Sequence, residues 1–403
     1  MSIVPVTFSE ENEGYITLSA FKKFARDKKN YSLRTTASRP EMVEDINQYA
    51  ESSEENKKTV LLWVDSVLKE GIKDLYVKKM DLNNDQLSKL NDDSYVCELL
   101  EEEIYDPNCR YLCNHYTGSL HCYRYEINNT IDGRVINIYL GKLITFSDKN
   151  NGTRSNPYPL FVDIYVDKGI IVGRAKSKSN MYKYTKFFDS EHVQTTSTEK
   201  EILNAIKYTL EIFGIATIKG YLVSEEFKGM LYNMLLNYTQ TPTKIVQMME
   251  DKKAEVEEMR DLLVNRICGL STYYLNDVLS DITNMVEKYF SISYPDKSIF
   301  TADREAYPLK ISATDDEESK LEQRAANEDP LQSKAIFFDN KKLLQKSQLC
   351  DGVWFRFLRQ SSIYFNKAFN VRISIKNDCC SIKFTEFTLE EDIRHVLFSL
   401  IKS

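Results

Sequence analysis

An α+β fold is what this sequence predicts, and three observations predict it. The first hundred residues carry helical periodicity and helix-capping signals. From Arg110 the apolar period drops to two, with turn dipeptides at short intervals. Long apolar helices then return before a last set of alternating strands and a final helix. At 403 residues the chain exceeds what one hydrophobic core usually serves, so more than one domain is expected.

The elements follow in order. Leu18, Phe21, Phe24 and Ala25 fall at helical spacing within 16–29, which gives that segment one apolar face. Ser38-Arg39-Pro40-Glu41 reads as a capping box: the Ser38 hydroxyl accepts a first-turn N–H, Glu41 returns to the Ser38 backbone, and proline sits where no N–H is needed. Ser52-Ser53-Glu54-Glu55 reads as a second box before Val60, Leu61, Val64 and Leu68, and Gly71 ends that helix. Alternation over 72–80 predicts a strand leaving these helices, so residues 1–100 are expected to be a helical module.

A central domain, 101–293, should begin as an antiparallel β meander. Thr117-Gly118, Asp132-Gly133, Asn151-Gly152 and Lys168-Gly169 mark its turns, and 135–146, 160–166 and 170–175 are its β-branched strands. Thr198 then caps a helix over 199–213, a second follows over 225–238, and Thr241-Pro242 opens a long one reaching residue 267. In that long helix Ile245, Met249, Val256, Met259 and Leu263 form an apolar face interrupted by Lys252. Beyond Gly269, apolar residues from Leu275 to Tyr289 predict an antiparallel partner. The ordinary role of this helical hairpin, 243–290, is internal packing; the alternative is self-association or the docking of a protein partner.

Pro295, Pro308, Pro330 and the acidic run Asp315, Asp316, Glu317 and Glu318 predict a linker over 294–334. The last segment, 335–403, alternates as strands over 352–358, 370–376 and 381–387, with Thr388 capping a helix over 389–401. These strands either complete the central sheet or build a second one.

Composition excludes several classes. No stretch approaches the roughly 18 consecutive apolar residues of a membrane span, and the N-terminus lacks a secretory pattern, so a cytoplasmic protein without membrane contact is expected. Eight cysteines at irregular spacings fit reduced thiols better than a disulfide framework. The abundance of Tyr, Phe, Lys, Asn and Ile is that of an AT-rich genome, as in a low-GC bacterium or its phage, where a nucleic-acid binder would suit a defence (antiviral) system.

Three constellations bear on chemistry. Cys109, Cys113, His115, His121 and Cys122 supply thiols and imidazoles, the ligands zinc prefers, and a hairpin turning at Thr117-Gly118 would face His115 with His121. Buried structural cysteines are the commoner outcome, and no cofactor other than such a zinc is expected. Catalysis finds less support: no GxSxG, HExxH, Walker or GxGxxG motif is present, and Asp163 with Asp167 is a thin carboxylate offer for a metal-dependent nuclease or other hydrolase.

The third constellation is basic. Lys168, Arg174, Lys176, Lys178, Lys183 and Lys186 run without an acid until Asp189, interleaved with Tyr182, Tyr184, Phe187 and Phe188, in a chain whose net charge is −7. Cations track a phosphate backbone through counterion release, and aromatic rings stack on unpaired bases. A second stretch holds Arg356, Arg359, Lys367, Arg372 and Lys376 among Trp354, Phe355, Phe357, Tyr364, Phe365 and Phe369. Strand parity there sets Val353, Phe355 and Phe357 on one face and Trp354, Arg356 and Leu358 on the other, so a buried face and a basic outer face are compatible. The sequence therefore points to binding of DNA or RNA by a basic, aromatic-rich sheet surface without catalysis; a solvated surface on a protein-interaction subunit is the alternative, and a hydrolase comes third.

Overall fold

Capping and periodicity set the N-terminal helices. In the computed structural model, which describes residues 3–10, 14–28, 33–113, 115–148, 152–187, 190–269, 271–314, 320–325, 328–359 and 366–402, helices α1 (Val6–Ser9), α2 (Leu18–Asp27), α3 (Arg39–Glu51) and α4 (Glu54–Lys69) come first. The Ser38–Glu41 box forms at α3 as expected. At α4 the cap is Ser53, whose hydroxyl accepts the Asn56 N–H at 3.1 Å; the third helical residue is Asn56, so no glutamate closes a reciprocal box. Strand β1 (Lys73–Asp81) follows, then α5 (Asn84–Leu90) and α6 (Asp93–Glu102). Strands β2 (His121–Thr130), β3 (Gly133–Asp148), β4 (Gly152–Tyr165), β5 (Ile170–Lys176), β6 (Met181–Phe187) and β7 (Ser190–Thr196) make the expected antiparallel meander. Helix α7 (Thr198–Phe213) and the short β8 (Ala216–Thr217) come next, and Ser197, one residue before the expected Thr198, is the cap.

The remaining elements are α8 (Tyr221–Tyr238), α9 (Thr243–Glu250), α10 (Lys253–Asp261), α11 (Leu275–Ser293), β9 (Ala306–Thr314), β10 (Lys320–Arg324), α12 (Ala335–Ser347), β11 (Gly352–Leu358), β12 (Ala368–Lys376), β13 (Cys379–Phe384) and α13 (Glu390–Ile401). The fold is thus α+β, with antiparallel pairing between the strands. The chain divides into two compact units, one of Met1–Ser224, Ser361–Asn366 and Lys376–His395, the other of Glu225–Gln360, Lys367–Ile375 and Val396–Ser403.

In the first unit the strand order is β13-β1-β5-β4-β3-β6-β7, with β2 beside β3 and β8 beside β1. The strand expected to leave a helical module is therefore central, paired with β5 on one side and β13 on the other. Residues 1–100 share one unit with the meander because Leu75, Tyr76 and Val77 are apolar on both faces, the mark of a strand covered twice. One sheet face, including Ile136, Ile138, Leu140, Val162 and Ile164, packs on α5, α6 and α7. The opposite face, including Tyr139 and Phe161, packs on α1 to α4. Each fully buried Ile, Leu or Val contributes about 1.5–3 kcal/mol, so covering the meander on both faces is a main source of this unit's stability. Gly173 lets α7 approach closely: a Cβ there would lie 2.6 Å from the Ile202 side chain.

No hairpin forms at Thr117-Gly118. Residues 115–120 are outside any strand, and β2 starts at His121 and turns at Asp132-Gly133, where Gly133 adopts φ +106°. Asn151 lies outside the described residues.

In the second unit the strand order is β10-β9-β11-β12. Two of these strands occupy the segment expected to be a linker. Tyr307, Leu309, Ile311 and Ala313 are buried, and Pro308 is accommodated because the β9–β11 register shifts there, opposite Trp354 and Phe355. A proline at a bulge removes a donor that the ladder does not need, so the proline signal misled the sequence reading. The acidic run Asp315 to Glu318 lies outside the described residues. The expected long helix is also broken: α9 ends at Glu250, Lys252 sits between helices, and residues 262–267 form a π turn. The break falls where Lys252 interrupts the apolar face. Ile245 is fully buried, whereas α10 buries none of its side chains. Among the described residues no helix is long and apolar enough to cross a membrane.

Candidate nucleic-acid interface

The basic run over 168–186 is not one surface. Lys168 is exposed on the 3-10 turn before β5, and Lys176 is at the other end of that strand, roughly 25 Å away at 3.4 Å per residue. Between them Arg174 is buried, 2% exposed, and its guanidinium is held by Asp163 at 3.0 Å and by Glu390 at 2.6 Å. An arginine so paired is internal and does not face a polyanion, which corrects the expectation for this residue. Lys176 donates to the Gly14 carbonyl and lies 4.9 Å from the centre of the Tyr15 ring; Lys178 lies 5.4 Å from that of Phe146. Tyr182 is half-buried in β6. Lys183, Tyr184 and Lys186 belong to β6 by their backbone, their side chains lie outside what the structure describes, and so does Phe188.

Arg174 belongs to a charged layer between the sheet and the N-terminal helices. Asp163 also accepts from Asn137 Nδ2 at 2.6 Å. Lys73, 1% exposed, donates to the Leu68 carbonyl at 2.5 Å and lies 5.5 Å from the Phe161 ring centre, while Lys69 lies 4.3 Å from that of Tyr139. Burial drives both ammonium groups below the ordinary lysine value, Lys73 well below it. Asp65, fully buried on α4, accepts from the Leu112 N–H and from Arg124, both at 3.0 Å.

The thiol and imidazole cluster is dispersed as well. His121 Nε2 and Thr117 Oγ1 share a 2.7 Å hydrogen bond, and the His121 ring lies 4.3 Å from that of Tyr105. Cys122 is buried in β2, where its Sγ donates to the Arg124 carbonyl at 3.7 Å. Burial pushes its thiol up to about 12 and raises those of Cys109 and Cys113, so the three are held as neutral thiols. His115 is exposed, and Asn114 beside it lies outside the described residues. Among the described residues no three histidine, cysteine or carboxylate side chains converge as a metal would require.

The second basic stretch does build a surface. On β11 and β12, Val353, Phe355, Phe357, Val371 and Ile373 are buried, and the Tyr238 ring of α8 meets Phe355 and Phe357 edge-on at 5.6 and 5.7 Å. The alternate residues face outward, as parity predicts. Register then assembles them: Arg324 of β10 stands opposite Lys310 of β9, Lys310 opposite Trp354 of β11, and Trp354 opposite Arg372 of β12. Four strands thus present one row, Arg–Lys–Trp–Arg, about 14 Å long at 4.7–4.9 Å per strand. The bulge at Pro308 and Leu309 restores the parity of β9, so that Leu309 and Ile311 point inward and Lys310 outward.

The indole of Trp354 organises this row. The Arg372 guanidinium lies 3.9 Å from its ring centre, the Lys310 ammonium 5.1 Å and the Arg324 guanidinium 5.4 Å, each within cation–π range. Lys310 is also paired with Glu322, and the neighbouring Arg356 with Glu328 at 2.7 Å and with Asn370 at 3.2 Å. Arg324 and Arg372 are exposed and have no carboxylate partner among the described residues. Arg359 lies beyond the end of β11, 4.7 Å from the Phe369 ring centre, and Tyr364 and Phe365 lie outside the described residues. Sequence reasoning found Arg356, Arg359 and Arg372 but missed Lys310 and Arg324, whose strands lay in the supposed linker; the alternation of Tyr307, Leu309, Ile311 and Ala313 was the signal available.

Comparison with family models, with curated proteins and with solved structures finds no match to this chain.

Proposed function

We propose that this chain binds nucleic acid through the outer face of the β10-β9-β11-β12 sheet. The observation that supports this reading is the cross-strand row Arg324, Lys310, Trp354 and Arg372, cations held side by side on an exposed sheet face by pairing register. Spread along a backbone, such cations displace condensed counterions, and affinity comes without base reading. Among the described residues no cluster that could hold a metal is present, and the carboxylates at this face, Glu322 and Glu328, are paired with Lys310 and Arg356, so the reading is of a binding protein rather than a hydrolase.

The test is fluorescence anisotropy with a labelled DNA duplex, between about 50 and about 200 mM salt. Reversing Arg324→Glu with Arg372→Glu should lower affinity at least about tenfold and flatten the slope of log affinity against log salt by about two. Binding that survives this change but is lost in Lys176→Glu/Lys178→Glu would move the site to the first unit.

A second reading, assembly through the helical hairpin, is favoured by one observation. Met259, Leu262, Ile267 and Tyr273 at and beyond α10 are exposed, Ile267 by 66% and Tyr273 by 81%. Light scattering decides it: Ile267→Ser/Tyr273→Ser should reduce any mass above that of a monomer, and a wild type that stays monomeric at high concentration discards this reading.

A further inference from the structure

We infer that Trp354 is a seat for Arg372, and that the row recognises phosphate groups and leaves bases unread. This deepens, and rests on, the reading of the face as a nucleic-acid surface. A tryptophan on an open sheet commonly serves nucleic-acid binding by stacking on a base, which needs an uncovered ring. Here Arg372 is 3.9 Å from the indole centre, a stacking distance, and Lys310 and Arg324 crowd the same ring at 5.1 and 5.4 Å. A base would have to displace cations whose attraction to the ring is already satisfied.

A planar guanidinium laid on a ring loses little by staying there, because its N–H donors lie in its own plane and remain available to phosphate oxygens in a fixed fork. The ring therefore lowers the disorder of a long side chain before any ligand arrives. Its position matters too: Trp354 stands directly opposite both Lys310 and Arg372, so one aromatic side chain orders cations on both flanking strands. The ligand implied is the phosphodiester backbone, whether single-stranded or double-stranded, DNA or RNA, and of any sequence. Trp354 is a positioning residue in this scheme, and Arg372 and Arg324 make the contacts.

The experiment compares three labelled probes of equal phosphate number on the full chain: a single strand of mixed sequence, a duplex half as long, and an abasic strand with the same backbone and no bases. The abasic strand should bind within about threefold of the mixed strand, since a stacked base is worth roughly fivefold or more. Trp354→Leu should weaken the mixed and abasic strands equally, and Arg372→Gln added to it should cost less than in the wild type, because both changes remove one unit. Trp354→Phe, which keeps a ring, should retain most of the affinity and controls for folding. An abasic strand bound tenfold or more weaker, with the difference abolished by Trp354→Leu, overturns the inference while sparing the nucleic-acid reading. Failure of all three probes at low salt overturns both. A poly-glutamate chain of equal charge that binds as tightly as the abasic strand would assign the face to acidic protein and likewise overturn both.

Discussion

Arg174 and Arg372 look alike in the sequence: each is a basic residue on a β-branched strand within a stretch rich in cations. The fold gives them opposite surroundings. Arg174 is enclosed between sheet and helices, neutralised by Asp163 and Glu390. Arg372 lies in the open, with its guanidinium over an indole and no carboxylate partner among the described residues. What separates them is how many faces of their strand are covered. β5 is apolar at Ile170, Ile171 and Val172 in succession and is buried on both sides, whereas β12 alternates from Phe369 onward between buried and outward-facing residues. An arginine on a twice-covered strand cannot shed its charge and needs carboxylate partners, whereas one on a half-covered strand can keep its charge in solvent.

The largest expected effect tests the enclosed side of this contrast. Arg174→Ala leaves Asp163 buried without its main countercharge, and should cost about 3–5 kcal/mol in urea unfolding. A loss under about 1 kcal/mol would mean that Asp163 is reached by water, and the contrast between enclosed and open charge would fail.

An intermediate effect depends on pH. Burial pushes the Glu70 carboxyl up to about 7, with Glu390 and Asp392 adding to the rise. A carboxyl whose folded value lies above its unfolded value of about 4.3 holds its proton more tightly when folded. Its contribution to stability is therefore complete below about pH 4 and lost as pH rises through about 7. Glu70→Gln should consequently be more stable than the wild type at about pH 8, by about 2–4 kcal/mol, and indistinguishable from it at about pH 4. A difference independent of pH would assign the effect to packing.

The smallest effect sharpens the open side. Arg372→Ala should change stability by no more than about 0.5 kcal/mol, since it removes one exposed cation–π contact and no buried partner. A much larger loss would make Arg372 part of the fold.

The same contrast explains how much was legible. Periodicity and caps located α2, α3, α4, β3, β5, β11 and α13 closely, because each signal there is local, whereas β4 begins eight residues before the expected 160. Parity alone separated Phe355 from Arg356. The row itself was not legible: Arg324, Lys310, Trp354 and Arg372 come from four strands, and no local pattern reports cross-strand register. Pro308 hid β9, since a bulge that tolerates proline becomes visible only when β11 is beside it. The burial of Arg174 had a signal, the unbroken apolar run before it, but the charge run around it outweighed that signal.

The edge position of β10 has a consequence for dynamics. Arg324 stands on a five-residue strand that, among the described residues, pairs on one side, with β9, so its amides should exchange with solvent through local opening at a smaller free-energy cost than those of β11. A polyanion lying along the row from Arg324 to Arg372 would span that edge and favour its closed state. Hydrogen exchange at β10 would then slow in proportion to occupancy, making the outermost strand a gauge of what the face has bound.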